Sequence, residues 1–226
     1  MTLYLLHGAL GCATQLEPLA DAMRPAGDVR VLELAGHGRT TLGQRPFSID
    51  GFVDQAIGRV DADGVSAAHF FGYSMGGYVA LALALAHPAR VSSVTTLGTK
   101  FEWLREVAAR EVTRLDPATI RAKVPTFGQQ LEARHADSGG WEANLAHTAT
   151  LIRELGENPP LTPDALSRID IPVCIAVGDR DATVGVEESA RAYRSLRSGA
   201  LAVLPNTLHP LEQVNVKLLA SILLSS

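Results

Sequence analysis

The chain has only two cysteines, Cys12 and Cys174, three methionines and two tryptophans, and aromatic residues make up 5% of its 226 positions. Two widely separated thiols form neither a metal-ligand spacing nor a disulfide framework. Cys174 lies in the apolar run 171–177, where a buried thiol is the simplest reading. No stretch approaches the roughly 18 consecutive apolar residues that a membrane-spanning helix needs. The first residues, Met-Thr-Leu-Tyr-Leu-Leu-His, carry no positive charge and only a short apolar run, so a secretory leader is not expected. Basic clusters are missing too. With 20 Lys and Arg against 24 Asp and Glu, the net charge of −4 disfavours nucleic acid and anionic membranes as partners. The expected setting is the cytoplasm and the expected partner a small-molecule substrate; the sequence assigns no oligomeric state.

A hydrophobic content of 46% over this length supports a sizeable core, most economically in one domain with an insertion. Strand-like and helix-like segments alternate, which predicts an α/β fold with a mainly parallel sheet and helices on both faces. The expected strands are Thr2–Leu6, 28–34, 67–71, Val91–Leu97, 171–177 and 200–204. Between residues 99 and 166 strand signals stop, and Pro117, Pro125, Gly139-Gly140 and Pro159-Pro160 cut the segment into short helices. In the first of them, Phe101, Leu104, Val107, Ala108, Val112 and Leu115 recur at helical spacing. Residues 1–98 and 167–226 therefore read as a core interrupted by the helical insertion 99–166.

The run Gly72-Tyr73-Ser74-Met75-Gly76 carries chemistry. An apolar strand precedes it and the helix-forming stretch Tyr78-Val-Ala-Leu-Ala-Leu-Ala-Leu-Ala follows. Gly-x-Ser-x-Gly in that context forces the serine into a sharp strand-to-helix turn with its hydroxyl exposed above the sheet. A serine hydroxyl is a weak nucleophile until a base takes its proton, and that base needs an acid to orient it. Of seven histidines only His209 follows the last strand in a loop, and Gly178-Asp179-Arg180-Asp181 puts two carboxylates at a strand's carboxyl end. The order is then Ser, Asp, His. His7 and His37, beside glycines, read as structural loop residues.

These pieces, with His7-Gly8-Ala9-Leu10-Gly11 and Leu34-Ala-Gly-His-Gly-Arg-Thr40, resemble the α/β-hydrolase superfamily along nearly the whole chain. The resemblance implies a sheet of about six strands, a helical lid over the active site at 99–166, and no metal or organic cofactor. It makes Ser74 the nucleophile, Asp181 the acid, as fourth residue of the family's Gly-x-x-Asp, and His209 the base. Asp179 is left as a turn-stabilising carboxylate or a partner for Arg180. The backbone amides of Ala9 and Met75 would form the oxyanion hole, with Leu10 as the fallback donor. Leu10, Phe101, Trp103 and Trp141 are candidates for a substrate pocket, although helical spacing alone accounts for Phe101 and Leu104 as helix core. Lys100, Arg134 and His135 could meet a substrate carboxylate, but in a segment this rich in charge of both signs they read as a solvated face.

Three departures from the family pattern stand out. The chain opens on the strand leading into His-Gly, which leaves Thr2–Leu6 and its neighbours at a less protected sheet edge. Leu208 precedes His209 where glycine is common, and Ala182 follows Asp181 where proline is frequent. None removes a group the chemistry needs. The implied activity is hydrolysis of a small ester or related acyl compound through an acyl-enzyme. Two alternatives remain: a triad-dependent lyase, synthase or C–C hydrolase, as in the menaquinone-pathway synthase branch, and a non-catalytic ligand-binding protein.

Overall fold

The structure is a computed structural model describing residues 2–225. Its described residues form a six-stranded parallel sheet in the order β2-β1-β3-β4-β5-β6. The strands are β1 (Thr2–Leu6), β2 (Asp28–Leu32), β3 (Ala68–Tyr73), β4 (Val91–Leu97), β5 (Val173–Gly178) and β6 (Gly199–Leu204). β3 and β5 are buried throughout, as near-continuous apolar runs in a sheet covered on both faces should be. Of Thr2–Leu6 and its neighbours, expected at the less protected edge, the neighbour β2 lies at the border. β1 is interior, because β2 pairs along its full length and itself forms the more exposed border.

One face of the sheet is covered by α2 (Ile49–Ala62) and α3 (Met75–Ala86), which pack with Phe70, Val94 and Ile175. Ser48 caps the start of α2, its Oγ accepting from Gly51 N at 3.1 Å. On the other face α1 (Glu17–Met23) and α10 (Val216–Ser225) close a second core around Leu3, Leu5 and Phe71. α9 (Val186–Ser195) connects β5 to β6.

Between β4 and β5 run α4 (Arg105–Val112), α5 (Pro117–Lys123), α6 (Pro125–Arg134), α7 (Trp141–Glu157) and α8 (Pro163–Leu166). Pro117, Pro125 and Pro163 occupy first-turn positions, where a missing N–H costs nothing. The first helix begins later than its periodicity predicts. Buried Glu188 of α9 accepts hydrogen bonds from Phe101 N at 2.7 Å and Glu102 N at 2.8 Å, which holds residues 101–104 non-helical. Phe101 consequently joins the main core without belonging to a helix, and Leu104 is 56% exposed.

Candidate functional site

β3 ends against Ser74, which takes φ 52° and ψ −115°, and α3 begins at the next residue. A non-glycine residue rarely adopts this conformation, and neighbouring contacts hold it there. Ser74 N donates to Leu97 O at 2.8 Å, and Ser74 O accepts from Gly77 N at 3.1 Å and Thr99 Oγ1 at 2.9 Å. The glycines of the motif are steric necessities. A side chain on Gly72 would run into the Gly76 carbonyl, and one on Gly76 into the carbonyl of Leu6.

The end of β5 presents Asp181, whose carboxylate is 2% exposed. Its Oδ1 accepts from Thr183 N and Val184 N, both at 2.8 Å, and its Oδ2 lies 2.7 Å from His209 Nδ1. A carboxylate only accepts, so the imidazole proton sits on Nδ1 and leaves Nε2 as an acceptor. The loop carrying His209 is laced to the same strand end. Asp179 Oδ1 accepts from Thr207 N at 3.1 Å, and Arg180 N donates to Thr207 O at 3.1 Å. Asp179 is thus the turn-stabilising carboxylate, and the amides of Asn206 and Thr207 hold its pKa below the ordinary value. From the other side, the Tyr73 hydroxyl donates to His209 O at 2.9 Å.

The segment after β1 folds back as a turn, Gly11 N donating to Gly8 O at 3.1 Å, with Leu10 at φ 59°. Gly8 packs against Tyr73 and Ser74, which brings the turn beside the serine. His7 is fully buried below it, bonded through Nδ1 to Gly8 O at 2.8 Å and accepting from Leu34 N through Nε2 at 3.0 Å. Burial holds its pKa down at about 4, and burial also lowers that of His37, which sits in edge contact with it, well below the ordinary value. Both are neutral structural groups.

A cleft of about 830 Å³ lies over this arrangement, lined among others by Ala9, Leu10, Tyr73, Ser74, Arg134 and His209. A second lobe of about 420 Å³ shares Ala9, Leu10, Ser74 and Phe127 and is walled by Met75, Tyr78, Trp103, Leu151 and Leu155. Ser74, His209, Ala9, Met75, Leu10 and Trp103 therefore meet at one cleft, and Asp181 backs it through His209. Phe101 and Trp141 line neither lobe. Trp141 packs with Ile120, Leu131 and Leu145 inside the helical segment.

Lys100, Arg134 and His135 are not on a solvated face. Arg134 is 16% exposed, its Nη1 donating to Leu10 O at 2.7 Å and its Nη2 lying 3.5 Å from Glu212. His135 is fully buried, accepting from Gly38 N and bonded to Leu10 O at 3.1 Å. Lys100 lies 3.5 Å from Glu188, and Arg114 donates to Glu111 at 2.8 Å. No sequence signal marks these contacts, because Leu10 and Arg134 are 124 positions apart. Among the described residues no group of His, Cys, Asp and Glu is arranged to hold a metal ion, and no helix is long and apolar enough to cross a membrane.

Fold and site together define a hydrolase-type α/β protein with a serine at the strand-to-helix turn. Residues 2–146 match the model of the alpha/beta hydrolase fold family, and the chain belongs to that family as an α/β-hydrolase-fold enzyme. It is 26% identical over 232 residues to a pimeloyl-acyl-carrier-protein methyl ester esterase of Neisseria meningitidis serogroup C, covering 91% of this chain and 85% of the relative. It is 22% identical to the (E)-2-((N-methylformamido)methylene)succinate hydrolase of Acinetobacter baylyi, covering 92% and 82%. Among solved structures, a thermophilic esterase from Thermogutta terrifontis superposes with a TM-score of 0.79 at 21% identity, covering 100% of this chain and 88% of that one. At that identity the superposition speaks for the fold alone.

Proposed function

We propose that the protein is a serine esterase acting on a small, uncharged ester, with Ser74, His209 and Asp181 as its triad. The observation that carries the reading is the buried Asp181 carboxylate 2.7 Å from His209 Nδ1, at a cleft shared with a serine held at φ 52°. In this reading His209 Nε2 takes the hydroxyl proton as Ser74 Oγ attacks the ester carbonyl carbon. The tetrahedral oxyanion is received by the amides of Ala9 and Met75. Protonated His209 passes its proton to the leaving alkoxide, and an acyl-Ser74 ester remains. Water, deprotonated by the same histidine, then releases the acid, while Asp181 stays ionised and stabilises the imidazolium.

The helical segment 99–166 is the lid of this site, and residues 1–98 and 167–226 are the catalytic core. The apolar lobe around Met75, Trp103, Leu151 and Leu155 suits an acyl group. A dianionic substrate, as the lyase alternative requires, finds less support: Arg134, Lys100 and Arg114, the Lys and Arg residues lining the two lobes, all sit near carboxylates. Of the relatives, one is named a methyl ester esterase and another the hydrolase of a substituted succinate, and both names agree with hydrolysis. The buried thiols of Cys12 and Cys174 fit work in a reducing cytoplasm.

Hydrolysis of p-nitrophenyl esters from acetate to decanoate tests the proposal. Turnover is expected with the wild type and a loss of about 10⁴-fold or more in Ser74→Ala and His209→Ala. Unchanged turnover in either variant would overturn it.

A further inference from the structure

We propose that Arg134 is a positioning residue that keeps the oxyanion turn in its working conformation, tying it to the helical segment and to the loop of His209. The inference rests on the esterase reading above. Four observations support it.

First, Leu10 has φ 59°, a conformation that a branched side chain does not hold without support. In the Gly8–Gly11 turn, that positive φ decides which way the peptide between Ala9 and Leu10 faces, and so where the amides of the turn point. Second, two donors converge on the Leu10 carbonyl: Arg134 Nη1 at 2.7 Å and His135 Nε2 at 3.1 Å. They are consecutive residues at the end of α6, so one helix terminus grips one peptide oxygen twice. His135 is itself fixed by Gly38 N, which aims its Nε2–H at the carbonyl.

Third, the same guanidinium lies 3.5 Å from Glu212, three positions beyond His209. Glu212 also accepts from Gln15 Nε2 at 2.5 Å, and Gln15 Oε1 accepts from Cys12 N at 2.9 Å, which closes a ring of polar contacts on the segment leaving the turn. Arg134 is where that ring joins the two halves of the site. Fourth, Arg134 lines the cleft with Ser74 and His209, yet its donors are directed at backbone and Glu212. A guanidinium can span two such acceptors at fixed geometry, which an ammonium cannot.

Steady-state kinetics of Arg134→Ala and Arg134→Lys on p-nitrophenyl butyrate separate positioning from substrate binding. For Arg134→Ala, kcat is expected to fall by about 10- to 100-fold with KM within about threefold of wild type, the size of effect that a displaced catalytic group produces. Arg134→Lys, which keeps one charged donor, is expected to recover part of that loss, and the pH midpoint of kcat/KM should not move. A rise in KM at unchanged kcat would overturn the proposal and make Arg134 a substrate ligand. No change in either constant would overturn it as well. Should Arg134→Ala fail to fold, Arg134→Gln keeps the side-chain bulk and carries the same expectations. A wild type that neither turns over esters nor is labelled at Ser74 would bring down the esterase reading itself, an outcome distinct from these.

Discussion

The Tyr73 hydroxyl donates a 2.9 Å hydrogen bond to the carbonyl of His209, so the residue before the serine holds the backbone of the histidine. Tyr73 is buried, and its ring lies tilted against the imidazole with centroids 5.4 Å apart. Tyr73→Phe keeps the ring and removes only the bond. We expect it to fold, to lose about 0.5–1.5 kcal/mol of stability, and to lower kcat by about 10-fold through a looser His209 loop. Urea unfolding and ester kinetics measure the two effects. Unchanged kcat would show that Asp181 alone orients the histidine.

Ser74→Gly tests the strain at the turn. At φ 52° and ψ −115° a residue with a side chain carries a cost of about 1–3 kcal/mol. Glycine avoids it, at an entropic cost of about 0.5–1 kcal/mol in the unfolded chain. The variant should therefore be inactive yet more stable by about 1 kcal/mol, raising Tm by about 2–4 °C. A lower Tm than wild type would mean that the turn is unstrained.

Acid should weaken the fold before the carboxylates titrate. Burial holds His7 and His69 down at about 4, and His37 lies well below the usual 6.5. Above about pH 6.5 these groups are neutral in both folded and unfolded chains, and the stability is complete. As pH falls from there towards 4, the unfolded chain binds protons that the folded one refuses, so stability declines. Each such proton contributes a slope of about 1.4 kcal/mol per pH unit. Urea midpoints measured from pH 7.5 to 5 should fall steadily below 6.5. Midpoints that stay flat over that range would contradict the neutral, buried assignment.

How legible this was depends on the distance over which each residue acts. Thr2–Leu6 was readable because a strand covered on both faces is apolar along nearly its whole length, and Val91–Leu97 because Val and Thr, branched at Cβ, favour extended backbone. The six-stranded parallel sheet followed from the alternation of elements, although the sheet edge did not: β2 covers β1, and no local signal states which strand pairs outermost. Helical spacing misled at Phe101 and Leu104. There the deciding partner is Glu188, 87 positions from Phe101, which draws the backbone amides away from a helix. Arg134 and His135 looked like surface charge for the same reason. Their partner is a single carbonyl on another element, and a carbonyl leaves no mark in a sequence.

The central claim is that Ser74 is the nucleophile, and covalent labelling with a fluorophosphonate tests it most directly. Peptide mapping by mass spectrometry should place one phosphonyl group on the peptide containing Ser74 in the wild type, strongly slowed in His209→Ala and absent in Ser74→Ala. Labelling that persists in Ser74→Ala, or that maps to another residue, would contradict the account.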